Sequence, residues 1–252
     1  ENNFTIYDQE DRERLLKECM HDAKVSDKEM KVYDCLRYIQ DAKNSLITPE
    51  EYMKEYGKEY EKGLVARIYA IYEKRLKRNN SMDFDDLIWK PLDLFNSHPE
   101  VLEKFREQFK YIMIDEYQDI NHAQYMLITM MASKYKNICV VGDDDQSIYR
   151  FRGADITNIL NFEEDYPNAK VIRLERNYRS TQNVLDAAQA VINQNQARTP
   201  KQLFSKRGSG PKVKIYDAAD DHAEAAYVGE DISDRLAAGQ KGGDFAIMYR
   251  TN

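Results

Sequence analysis

Hydrophobic and polar positions divide the chain into three stretches of different periodicity. Over residues 1–80 the apolar residues recur at helical spacing. Two segments fit the reciprocal N-terminal cap of a helix, "SDKE" (Ser26 to Glu29) and "TPEE" (Thr48 to Glu51), the second with Pro49 at the first helical position. Tyr52, Tyr56 and Tyr60 form an i, i+4 series, which reads as a packing stripe on one helix face. The segment "LVARIYAIYEKRLKRNN" predicts an amphipathic helix whose basic end suits the negative pole of the helix dipole.

From residue 81 to 178 the pattern changes. Short apolar runs, "YIMID", "NICVVGD" and "KVIRLE", alternate with helical stretches such as "NHAQYMLITMMASKY". Continuous apolar strands between helices predict a parallel sheet covered on both faces, so the fold class is α/β. Polar residues then fall at the carboxyl ends of strands, where open sheets of this kind bind ligands. From residue 179 a helix ("STQNVLDAAQAVINQN") leads through "RGSGPK" to a predicted strand, "VKIYDA". The helix "DHAEAAYVGEDISDRLAAG" follows, stopped at Gly239, and then a last strand, "DFAIMYR". This reads as the opening of a second α/β domain.

Composition adds exclusions. The 252 residues are 42% hydrophobic and 32% charged, with no apolar run near the length that spans a bilayer. The start has neither a basic opening nor an apolar stretch of the signal-peptide kind, and no initiator Met, so the chain reads as a piece of a longer protein. Cys19, Cys35 and Cys139 match no disulfide or metal spacing, and the four histidines are scattered; the expectation is a reduced, metal-free cytoplasmic protein. The net charge of −7 argues against an all-basic surface but leaves room for a local basic groove. Arg198, Lys201, Lys206, Arg207, Lys212 and Lys214 lie in a stretch without Asp or Glu, and a solvated connector explains them as well as a phosphate track does.

Two constellations carry chemistry. The apolar run Tyr111–Ile114 ends in Asp115-Glu116, the Walker B arrangement, in which the Asp holds nucleotide-bound Mg²⁺ and the Glu orients and deprotonates water. A structural carboxylate pair is the other reading. The next run ends in "GDDDQSIYRFRGA": Gly142 permits a tight turn, Gln146 presents an amide, and Tyr149-Arg150-Phe151-Arg152 interleaves rings with guanidiniums. Such a series suits single-stranded nucleic acid, with bases on the rings and phosphate on Arg; a Tyr and Phe belonging to the core is the alternative.

In order and spacing, "FKYIMIDEYQD", "VVGDDDQSIYRFRGAD" and "LERNYRST" resemble the UvrD/PcrA/Rep family of superfamily 1 DNA helicases, and "MDFDDLI" and "FAIMYRTN" match the same pattern. The resemblance implies ATP-driven 3′-to-5′ movement on single-stranded DNA by two RecA-like domains with helical insertions. It implies a helical insertion at residues 1–80, the later part of the first RecA-like domain at 81–178 and the beginning of the second at 179–252. It also implies roles by position. Asp115 ligates Mg²⁺, and Glu116 is the catalytic base, touching the metal through water. Gln146 senses the γ-phosphate of ATP. Tyr149 and Phe151 stack on bases, and Arg152 supports them. Tyr178 packs near the adenine, and Arg179 reaches the γ-phosphate. Phe151 stands where the family usually has Trp.

None of the ten glycines begins GxxxxGK[ST], the phosphate cradle a Walker B pair needs. The resemblance places that cradle, and part of the first sheet, upstream of residue 1. Two expectations follow: the 252 residues alone do not hydrolyse ATP, and the strand "NICVVGD" has an open edge through which the chain self-associates. The resemblance also implies DNA partners, single strands and their junctions with duplex. Two other readings are the helicase part of a recombination helicase–nuclease and a nonenzymatic DNA- or partner-binding module.

Overall fold

The computed structural model describes residues 3–150, 153–195 and 198–249. They form two compact units, one of residues 1–172 with 196–200 and the other of 173–195 with 201–252.

The first unit begins with a short strand, β1 (Thr5–Ile6), and four helices, α1 (Gln9–Asp22), α2 (Val32–Asn44), α3 (Pro49–Tyr56) and α4 (Tyr60–Arg78). Their apolar stripes meet in one core, where Leu16, Cys19, Cys35, Ile39, Val65, Ile68 and Tyr72 are fully buried. Each large side chain removed from water there contributes roughly 1.5–3 kcal/mol. The cap predicted at Thr48 is present in both directions: Glu51 N–H donates to Thr48 Oγ1, and Thr48 N–H donates to Glu51 Oε2. At Ser26 the same residues close a turn instead. Ser26 N–H and Oγ–H both donate to Glu29, but no helix starts until Val32. The tyrosine series is also broken. Tyr52 is buried, while Tyr60 lies beyond the end of α3 at Gly57 and is exposed. The helix α4 ends in Arg75, Lys77 and Arg78 as expected.

Next come β2 (Ser81–Met82), α5 (Asp86–Ser97), α6 (Pro99–Gln108), β3 (Ile112–Ile114), α7 (His122–Ala132), β4 (Ile138–Val140), and the short helices α8 (Thr157–Leu160) and α9 (Phe162–Asp165). The strand β2 pairs in parallel with β1, so residues at the start of the chain share a sheet with residues after α4. A buried ionic cluster ties the same parts together. Lys43, at the end of α2, donates to Asp83 (2.9 Å) and Asp86 (3.2 Å), and Glu73 of α4 lies 2.6 Å away. Arg12 of α1 donates to Asp85 at 3.2 Å. The acidic segment "MDFDDLI" is therefore a structural seam.

The strands β3 and β4 pair in parallel in the register Ile112↔Ile138 and Ile114↔Val140, with α7 as the crossover. Helix α7 starts at a reciprocal cap between Asn121 and Gln124. Contrary to expectation, this pair is not covered on both faces: Ile112 and Ile114 are half-buried, but Met113 is 78% exposed.

The second unit contains β5 (Arg176–Asn177), α10 (Gln182–Ile192), β6 (Phe204–Ser205) and α11 (Asp221–Ala237). Strands β5 and β6 pair in parallel. Gly239, with φ of +94°, ends α11 at the position the sequence indicates. The predicted strands "KVIRLE", "VKIYDA" and, over its described residues, "DFAIMYR" are not in sheets. Most of their apolar side chains face solvent, Ile215 at 95%, while Ala218 and Phe245 are half-buried. A parallel strand is held only by neighbours distant in sequence, and of these runs only the end of "KVIRLE" meets one, the Glu175 carbonyl accepting the Phe204 N–H at 3.0 Å just before β5. Among the described residues, no helix is long and apolar enough to cross a membrane.

Candidate functional site

Asp115 and Glu116 follow β3 directly and are both exposed at its carboxyl end. Asp115 Oδ1 accepts the Glu116 N–H at 3.0 Å. Glu116 has φ of +50° and ψ of +44°, the left-handed conformation, which costs a non-glycine residue about 1–2 kcal/mol. That strain is sustained by fixed neighbours. Val141 N–H donates to Ile114 O (2.8 Å) and Tyr117 N–H to Val141 O (2.9 Å), which align the ends of β3 and β4.

Between these strand ends lies Gln118, 1% exposed. Its Nε2 donates to Glu116 Oε2 at 2.8 Å and to Asp119 Oδ2 at 3.4 Å. Its Oε1 accepts the Asp143 N–H at 2.9 Å. Space at Gly142 is tight. A Cβ at that position would lie 2.8 Å from Gln118 Oε1 and 2.8 Å from Ile159 Cδ1. Burial, with the charge of Glu116 added, pushes the Asp119 carboxyl above its ordinary range.

Gln146 closes a short 3₁₀ turn, Asp144–Gln146, and its Nε2 donates to Asp143 Oδ2 at 2.7 Å. The Asp143, Asp144 and Asp145 carboxylates come within 4.8 Å of one another. Asp145 is gripped by Arg198 in a bidentate pair of 2.7 and 2.8 Å, and Thr199 N–H donates to Asp144. Arg198, one of the six residues of the basic run, is thus committed to an acid within its own unit.

Tyr149 lies after this turn and is 37% exposed. Phe151 and Arg152 fall outside the described residues. Beyond them Gly153 has φ of +85°, and a Cβ there would be 3.1 Å from Asn44 Nδ2. Asn44 Oδ1 accepts Asn121 Nδ2–H at 2.9 Å, and Asp155 N–H donates to Ile120 O at 3.0 Å. The described residues before Tyr149 are therefore tied to Gln118, and those after it to Ile120.

In the second unit, Asn177 Oδ1 accepts the N–H groups of Arg179 (2.9 Å) and Ser180 (2.8 Å). That turn leaves Tyr178 and Arg179 exposed. The Arg176 guanidinium lies 4.5 Å from the centre of the Tyr178 ring, and Arg207 donates to Arg179 O at 2.9 Å. Arg207, a second residue of the basic run, braces this turn.

Asp115, Glu116 and Gln146 are thus linked within one unit, and Tyr178 and Arg179 share a turn in the other. Sequence reasoning missed Gln118 and Arg176, and it named Arg207 only as part of the basic run. A polar residue two positions beyond a strand-end carboxylate was the one available signal for Gln118.

An α/β chain with parallel strands ending in these motifs has the layout of a helicase, and the comparison with protein families agrees. The UvrD/REP helicase N-terminal domain matches residues 1–167, and the UvrD-like helicase C-terminal domain matches residues 172–252. The chain belongs to the UvrD/REP helicase family. It is 46% identical over 252 residues to the ATP-dependent DNA helicase PcrA of Staphylococcus epidermidis and, to the same extent, to that of Staphylococcus aureus. It is 45% identical over 251 residues to the ATP-dependent DNA helicase PcrA of Leuconostoc citreum. All of this chain, or 99% of it, is covered in these comparisons, but only 33–34% of each relative. The chain spans about a third of the length of the curated relatives it matches.

Proposed function

We propose that this chain is part of an ATP-dependent DNA helicase that couples nucleotide hydrolysis to 3′-to-5′ movement on single-stranded DNA and to unwinding at junctions with duplex, in repair or replication. In this reading residues 81–178 are the later part of a RecA-like domain, residues 1–80 its helical insertion, and residues 179–252 the start of a second RecA-like domain. The observation that carries it is the pair Asp115-Glu116 at the end of β3, hydrogen-bonded through Gln118 to the turn that presents Gln146.

Hard oxygen donors exposed at a strand end fit Mg²⁺. Asp115 would hold the ion, with Glu116 reaching it through water, and Mg²⁺ with ATP supplies charge neutralisation at the phosphates. Glu116 accepts the proton of the attacking water. Gln146 contacts the γ-phosphate. Arg179 stabilises the charge that develops there, and Tyr178 packs against adenine. Tyr149 and Phe151 stack on successive bases, with Arg152 beside them.

The test is steady-state ATP hydrolysis by the complete protein with and without single-stranded DNA. DNA-stimulated hydrolysis that Glu116→Gln abolishes is expected; undiminished turnover in that variant would overturn the assignment. The 252-residue chain, which contains no phosphate cradle, should release no phosphate. Its exposed strand edge should recruit a second copy, so sedimentation showing only monomer at high concentration would remove the self-association proposal.

A further inference from the structure

We propose that Gln118 is the positioning residue that makes the hydrolytic carboxylate and the DNA-facing loop respond to one another. It rests on the ATP-driven helicase reading above and extends it to a residue with no assigned part.

The geometry is a continuous hydrogen-bonded path. Glu116 Oε2 accepts from Gln118 Nε2, Gln118 Oε1 accepts from the Asp143 N–H, and Asp143 Oδ2 accepts from Gln146 Nε2. Three residues beyond Gln146 stands Tyr149. A primary amide suits the central position because it donates at one end and accepts at the other. Glutamate could not donate to Glu116, and an apolar side chain would leave the Asp143 N–H without its acceptor.

The surroundings leave the amide little freedom. Gln118 is fully buried, so neither of its polar atoms can exchange its partner for bulk water at low cost. Gly142 packs directly against the amide: a Cβ there would lie 2.8 Å from Gln118 Oε1. Ser147 Oγ–H donates to the Gln118 carbonyl at 3.4 Å, a second link from the same residue to the same loop. Displacement of the loop from Asp143 to Tyr149 on binding DNA therefore pulls on Glu116, and a change at Glu116 when the γ-phosphate leaves is passed back to the loop. The device is a two-ended tether, and its product is coupling, not affinity.

The experiment compares Gln118→Met, which keeps the volume and loses both bonds, with the unaltered complete protein. Three quantities are read: the ratio of kcat with and without single-stranded DNA, the KM for ATP, and the Kd for single-stranded DNA without nucleotide. The expected result is a fall of about tenfold or more in the stimulation ratio, with KM and Kd changed by less than about threefold. Asp143→Ala cuts the path farther along on a less buried residue and should reproduce that pattern, which keeps the proposal testable should the core variant fail to fold. In the double variant Gln118→Met with Gln146→Ala, members of one path should lose no more stimulation than the worse single variant. Retained stimulation in Gln118→Met, or losses that multiply in the double variant, would overturn the tether. So would parallel losses of kcat, DNA affinity and melting temperature in every variant, the signature of a merely structural residue. An unaltered complete protein with no DNA-stimulated hydrolysis would instead defeat the helicase reading itself.

Discussion

Lys43 Nζ lies 2.9 Å from Asp83 Oδ2, and the two side chains are 1% and 0% exposed. One belongs to the end of α2 and the other follows β2, so this ion pair, with Lys43–Asp86 and Arg12–Asp85, joins the helical residues to the segment that leads into α5. Burial alone would lower the Lys43 ammonium; Asp83, Glu73 and Asp86 overcome it and hold the group well above its ordinary value. Burial likewise works to raise Asp83, but Lys43 and Arg12 keep that carboxyl below its usual range. At Glu73 burial wins, and the carboxyl is raised despite Lys43.

Removing the cation leaves buried carboxylates uncompensated. Lys43→Met is expected to lower the stability of the first unit by about 3–5 kcal/mol, read from urea unfolding followed by circular dichroism. A loss no larger than that of an exposed pair would mean that water reaches Asp83 and Asp86.

Asp85 supplies a pH dependence of defined sign. Burial and the charge of Asp83 push its carboxyl up from 3.8 to about 6, against the pull of Arg12 and Lys43. Between those two values the folded protein keeps a proton that the unfolded chain releases. This contribution to stability is therefore full below the lower value and lost as pH rises through the upper one. Asp85→Asn does not titrate. Between pH 4 and pH 7 the parent should lose roughly 2–3 kcal/mol relative to that variant in paired urea titrations. An unchanged difference would show that Asp85 titrates normally.

The thiols should separate by reactivity. Burial pushes Cys19 and Cys35 up to about 12, whereas Cys139 is exposed on β4. With an aromatic disulfide reagent at mildly alkaline pH, the 252-residue chain should release one equivalent quickly and the other two only on unfolding. Three equivalents at one rate would contradict the packing of α1 against α2.

Base stacking is tested in the complete protein. Alanine at Tyr149 and at Phe151 should each weaken single-strand binding by roughly 1–3 kcal/mol, measured by fluorescence titration at fixed salt. Unchanged affinity in the double variant would end the stacking assignment.

Local signals were legible because they act over a few residues. The Thr48–Glu51 cap, the basic end of α4 and the left-handed Gly239 all depend on neighbours within one or two turns. The Ser26–Glu29 pair shows the limit, since its hydrogen bonds form without a helix to follow them.

The amino-acid sequence by itself indicated several of the helices, the strand-end carboxylates and the family to which the chain belongs. Only the tertiary structure decided which polar residues are buried and what they hold: Gln118 between two strand ends, Lys43 among three acids, Arg198 committed to Asp145. It also decided that pairing begins only at the end of "KVIRLE" and that "VKIYDA" joins no sheet. Helices and caps satisfy their hydrogen bonds within their own segment, whereas parallel strands and buried charges are stabilised only by partners far along the chain.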